Sequence, residues 1–247
     1  MTESNASHTI SLHELGQKYF KALQHLSDLT AYVWAGARSV NETAYDELSR
    51  GVAGLPNTPY RLSFETAKHE AERAWMKQSV SEVIGLSYVF IEDIRKLCGL
   101  VLFNATKASG QGDLTALAAE LNKVPPPADL FTRLSEIRER YQLTTDLDEH
   151  MISLSKAART LLHHNGVLGA EEKCDLKLKM ITPPAEKEGQ HRIADFEASW
   201  KPGERIYLNR AQHAAVFTTV SLFFSAMLTA LQDYAKRSGA VQEPVHQ

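Results

Sequence analysis

The chain has 247 residues, enough to bury a sizeable core in one large domain or two small ones. Its 43 % hydrophobic and 23 % charged residues are those of a globular protein. The formal net charge of −3 gives no global pull toward nucleic acid, so any polyanion site has to come from local placement of Arg and Lys. Two cysteines, Cys98 and Cys174, argue against a disulfide scaffold and fit a reducing compartment.

The N-terminus, MTESNASHTISLHELG, has no basic n-region and no apolar h-region, so it does not read as a secretory signal. Residues 10–38 predict a long helix with Leu12, Leu15, Tyr19, Leu23, Leu26 and Leu29 near one side. A short helix at 42–50 follows, N-capped by Asn41. The turn-rich GVAGLPNTPY, 51–60, is the best internal boundary. It divides an N-terminal helical extension, 1–60, from the main helical domain, 61–247. Ser63 opens a long apolar helix carrying Val80, Val83, Phe90, Ile94 and Leu97, in which Gly85 is expected to allow close packing or a break. Helices at 113–122 and 127–141 follow, separated by prolines 125–127. Next comes a helix over roughly 145–164, stopped by Asn165-Gly166.

The period then changes from helical to alternating. DLKLKMI and ADFEASW predict two strands joined as a hairpin through 182–193, and RIYL, 205–208, a short third strand. A long helix, 211–237, closes the chain. Its run AAVFTTVSLFFSAMLTAL sits at the short edge of spanning length, but Val216, Val220, Phe223, Met227 and Leu231 recur at helical steps with one buried face. The expected fold is therefore mainly α: a helical bundle with a small β-hairpin insertion before the last helix, in a cytoplasmic protein without membrane attachment.

The stretch AARTLLHHNG, 157–166, is the one segment that ordinary helix patterning does not explain. Arg159 and His163, four apart, are neighbours on one side of the helix. On an ideal helix His164 lies ~140° from Arg159. It reaches the arginine if the helix distorts at its end or if a second subunit contributes. A guanidinium offers phosphate a fixed fork of donors and stabilises charge developing on phosphorus. An imidazole, with a reference pKa of about 6.5, moves protons near neutrality. RNA carries its own nucleophile, the 2′-hydroxyl, so Arg plus His suffices in principle for strand cleavage without a metal. Arg and His at a helix end are also favoured by the dipole alone.

RTLLHHNG resembles the signature of the HEPN superfamily, all-α domains in which Arg, four to six residues, and His end a helix, often followed by Asn and Gly. Arg159 with His164 has the four-residue gap, while Arg159 with His163 has only three. The resemblance covers residues 63–237, with its specificity in eight residues. It implies Arg159 and His164 as catalytic residues, with His163, Asn165, Thr160, Glu92 and Asp93 in support. It further implies a homodimer that pairs two Arg/His sets, an RNA substrate, no cofactor, and an antitoxin or other regulatory partner in a toxin or phage-defence setting. The implied activity is metal-independent endoribonuclease. Other members have lost catalysis and bind RNA, nucleotides or protein partners, which is the alternative reading here.

Lys177 and Lys179 would track an RNA backbone beside the motif, or form the solvated face of a strand. His163, His164, Cys174 and His191 have zinc-ligand chemistry but match no standard structural spacing, so no metal site is expected. No GxGxxG, HExxH, GxSxG or phosphate-binding GxxxxGK motif occurs, leaving Rossmann cofactors, zinc proteolysis, serine esterase chemistry and nucleoside-triphosphate hydrolysis without support.

Overall fold

Five of the six described helices start after a residue whose side chain accepts from a free backbone N–H; the helix that follows Leu147 has no such cap. In a computed structural model, described over residues 11–51, 62–108, 115, 129–164, 166–169, 175–182 and 194–239, Ser11 caps α1 (Leu12–Ser39) through Glu14 N. Asn41 Oδ1 accepts from Ala44 N at 2.9 Å and opens α2 (Glu42–Gly51). Ser63 Oγ accepts from Thr66 N at the start of α3 (Phe64–Ala108). Asp129 caps α4 (Leu130–Tyr141). α5 is Asp148–His163. Asn209 and Gln212 form a reciprocal capping box at the start of α6 (Arg210–Arg237). The expected helix at 113–122, prolines 125–127 and most of the 51–60 boundary lie outside the described residues.

At 1.5 Å per residue, the 45 residues of α3 run about 67 Å. The helix passes straight through Gly85, so that glycine neither breaks it nor admits a close neighbour: a Cβ there would meet nothing within 4 Å. The core forms where α3 lies against α1 and α6. Phe90 and Phe224 rings are 4.3 Å apart, and Tyr19 meets both edge-on at 5.0 and 5.7 Å. The helix assigned from sequence to an N-terminal extension thus shares the core of α3 and α6 through buried Tyr19 and Leu23. Tyr19 Oη also donates to Asp93 at 2.6 Å, and Lys18 pairs with the same carboxylate at 3.0 Å.

The hairpin forms as expected. β1 (Leu176–Thr182) pairs antiparallel with β2 (Ala194–Trp200), Leu178 opposite Ala198. Leu176, Leu178 and Met180 point into the core, and Lys177 stays exposed. Two hydroxyls tie β1 to the helices beneath it: Lys179 N donates to Ser153 Oγ of α5 at 3.0 Å, and Ile181 N to Thr219 Oγ1 of α6 at 2.8 Å. The RIYL segment does not extend the hairpin. Arg205 instead bridges Val167, and Ile206 N donates to Gly166 O at 2.7 Å, because the chain leaving α5 needs those partners for its own backbone. α6 is the one described helix long and apolar enough to cross a membrane by length and composition, and its apolar face (Val216, Val220, Phe223, Phe224, Met227) is buried against α1, α3 and β1.

A buried histidine joins α1, α3 and α6. His213 Nε2 lies 2.6 Å from Ser79 Oγ, whose hydroxyl also reaches Trp75 O at 2.9 Å, and the Trp34 ring meets the imidazole edge-on at 5.3 Å. A serine proton given to the carbonyl makes Nε2–H the donor to Oγ, so Nδ1 is an acceptor without a partner among the described residues. Burial pushes the ring down to about 4. The folded-state value lies below the unfolded value of about 6.5. The stability contribution is therefore complete above about pH 6.5 and is lost as pH falls toward 4. The denaturant midpoint is expected to drop across that window in the wild type and to drop less in His213→Gln. Parallel curves for the two proteins would contradict the assignment.

Candidate active site

The last turn of α5 ends by an unusual closure. His164 N and Gly166 N both donate to Thr160 O at 3.1 Å. Gly166 sits at φ +76°, a region closed to most side chains, and Val167 N then bonds back to His164 O at 2.9 Å. Helical geometry stops at His163. His164 is the C-cap, at φ −112° and ψ 22°. His164 lines the same cleft as Arg159 and His163 within one chain.

The cleft has a volume of about 590 Å³. Its walls are Ser81, Gly85 and Tyr88 of α3, Asp129 at the head of α4, Ser155, Lys156, Arg159, Leu162 and His163 of α5 with His164 at its C-cap, and Asp175-Leu176 entering β1. Tyr88 fixes three helices together: its hydroxyl accepts from Leu130 N at 3.0 Å and shares a hydrogen bond with Ser155 Oγ at 3.0 Å. Gly85 leaves the α3 wall open above it. Arg159, His163 and His164 are exposed, and among the described residues none of their side chains makes a hydrogen bond or ion pair. Lys156 is exposed on the same wall.

Asp129 supplies the opposing charge. Its carboxylate accepts from Thr132 N and Thr132 Oγ1, both at 2.8 Å. Those hydrogen bonds, and then the fields of Arg159 and Lys156, hold it below the usual carboxylate range. The site therefore gathers a guanidinium, an ammonium and two imidazoles with two carboxylates, Asp129 and Asp175, around one open cleft. Such a site can take up an oxyanion and move protons beside it.

The other residues singled out from sequence are distributed differently. Thr160 lines the cleft but is largely buried, and its hydroxyl donates back to Lys156 O at 3.1 Å. Asn165 lies outside the described residues. Glu92 and Asp93 do not line the cleft. Glu92 clasps Arg95, with contacts of 2.6 to 3.1 Å, and Asp93 anchors α1. Lys177 pairs with Glu197 and Lys179 with Glu149, which leaves both on the outer side of the strand. Cys174 and His191 are outside the described residues, and among the described residues no three His, Cys, Asp or Glu side chains group as a metal site. Sequence reasoning missed Tyr88, Asp129 and Lys156. Only Lys156 carried a signal, its three-residue spacing to Arg159 on the motif helix.

Gly85 gives a direct test of the cleft wall. Gly85→Ala is expected to raise stability by about 0.5–1 kcal/mol, because it removes a flexible residue from an exposed helix interior without a clash. A lower thermal midpoint would mean that the wall is not open. Comparison with family models, with curated proteins and with solved structures finds no match, so what can be said of this chain's chemistry rests on the cleft itself.

Proposed function

We propose that the protein is a metal-independent endoribonuclease acting through Arg159 and His164. The observation that supports this reading is the gathering of Arg159, His163 and His164, exposed and without ion pairs among the described residues, on one cleft wall. In the proposed step the 2′-oxygen attacks the adjacent phosphorus and the bond from phosphorus to the 5′-oxygen breaks. His164 takes the 2′-hydroxyl proton and, as the imidazolium, returns a proton to the departing 5′-oxygen, so the ring ends as it began. The products are a 2′,3′-cyclic phosphate and a 5′-hydroxyl end. Arg159 holds the non-bridging oxygens as charge builds on them. The HEPN resemblance adds a homodimer, for which Leu162, 44 % exposed at the cleft, is an apolar side chain that a second copy would cover.

A second reading, a non-catalytic protein on the same scaffold that binds RNA, a nucleotide or a protein partner, draws on Asp129. Its carboxylate already answers part of the positive charge that a scissile phosphate would need.

The assay that separates them incubates the purified protein with mixed RNA in EDTA, beside Arg159→Ala and His164→Ala. Cleavage by the wild type with cyclic-phosphate ends is expected, reduced about 10²–10⁴-fold in each variant. Equal cleavage by all three would mean a contaminating nuclease, and intact RNA throughout favours the binding reading. His163→Ala is expected to impair cleavage less than His164→Ala, because only His164 has the four-residue gap from Arg159. The reverse order in single-turnover rates would make His163, the last helical residue, the working base.

A further inference from the structure

A second depression, of about 220 Å³, lies past the Gly166 turn. Its floor is apolar, with Met76, Leu161 and Ile206, and its rim carries Arg73, Lys77, Arg205 and the half-exposed ring of Tyr207. Glu70 also lines it and takes up Arg73 at 2.8 Å. Lys77 and Arg205 make no ion pair among the described residues. The depression therefore keeps positive charge in a chain whose net charge is −3.

Both depressions are walled by one stripe of α3. Residues 73, 77, 81, 85 and 88 follow each other at helical steps of three and four, the first two beside Tyr207 and the last three beside Arg159. From 73 to 88 the stripe covers about 22 Å. The C-terminal turn of α5 lies between the two, giving Leu161 and Gly166 to one side and Arg159, His163 and His164 to the other.

We propose that the Arg73–Lys77–Arg205–Tyr207 depression is a second binding site, for a nucleotide of the same single strand whose phosphate occupies the Arg159 cleft. Tyr207 stacks on a base, and Lys77 and Arg205 hold the backbone that crosses the Gly166 turn. An exposed ring beside unpaired cations suits a single strand, because each base offers a π-face and each linkage a charge. The length of the stripe matches the shorter single-strand sites, about four nucleotides. The identity of the polymer rests on the ribonuclease reading, but the site itself does not.

The test uses a fluorescein-labelled eight-nucleotide single-stranded RNA with 2′-O-methyl groups, which lacks the attacking hydroxyl and reports binding alone. Tyr207→Ala is expected to weaken its binding about tenfold, and Tyr207→Phe, which keeps the stacking face, about twofold at most. Lys77→Glu combined with Arg205→Glu should flatten the dependence of log affinity on log salt by between about one and two. Thermal midpoints close to the wild type, expected for these surface positions, separate lost contacts from lost folding. Unchanged affinity and salt slope in the variants overturn the proposal even when the wild type cleaves RNA. Absent binding of the octamer by the wild type, or equal competition by polyglutamate of matched charge, overturns it too. Octamer binding that depends on Tyr207 and Lys77 in a protein that cleaves nothing supports this site and removes the ribonuclease reading instead.

Discussion

The structure depends on the division of α3 into two faces. One face carries Val80, Val83, Ser87, Phe90, Ile91 and Ile94, all buried, and locks to α1 and α6 through the Tyr19, Phe90 and Phe224 rings. Close-packed aromatic faces of this size tolerate little sliding. Once Phe90 is seated, the rotation of the helix is fixed, and with it the outward direction of Ser81, Gly85 and Tyr88. Those three residues are the rigid wall against which α5 presents its arginine and histidines. The core thus sets the cleft geometry without any core residue taking part in chemistry.

Tyr88 converts that rotation into position. Its hydroxyl is bound to the first N–H of α4 and to Ser155, so α3 holds both the carboxylate that opens α4 and the cations that close α5. A buried or half-buried polar group that meets two partners is costly to misplace, since any shift leaves one of them unsatisfied. The closure of α5 works in the same manner from the other side. Thr160 O receives two N–H groups, Gly166 takes the positive φ, and residues 203–206 satisfy the backbone beyond it. An imidazole placed by a frayed helix end would sample many directions. Here the exit is pinned by backbone hydrogen bonds on both strands of the turn.

Elements set by local chemistry were legible in the sequence. Asn41 and Ser63 are caps because their oxygens reach an N–H three residues on, and the alternation of Leu176, Lys177, Leu178 and Lys179 is a backbone property of strands. Arg159, His163 and His164 were legible as a group because one helix end carries them. Features set by distant partners were not. Asp129 follows a proline run and nothing in its neighbours says that α5 will lie opposite. RIYL has the composition of a strand, but the backbone leaving α5 claims Arg205 and Ile206 first. Glu92 continues the α3 stripe one turn beyond Tyr88, yet Arg95 three residues on captures it, a competition that spacing alone permits and only geometry decides.

The electrostatics follow from the same placement. A chain with excess negative charge can still hold an anion where several cations share one wall and, among the described residues, none of them is tied up in an ion pair. Asp129 accepts from Thr132 N and Oγ1 on Oδ1 alone, and it acts on Arg159 and Lys156 through space, with no direct pair to either among the described residues. On the proposed reading, a phosphate entering the cleft would not have to break a salt bridge to reach the guanidinium. It would only have to outcompete a carboxylate whose Oδ1 is held by Thr132, and it would bring oxygens for the bidentate contact that Asp129 does not make. The carboxylate in turn offsets part of the mutual repulsion between Arg159 and Lys156, which is what lets the two cations share one wall.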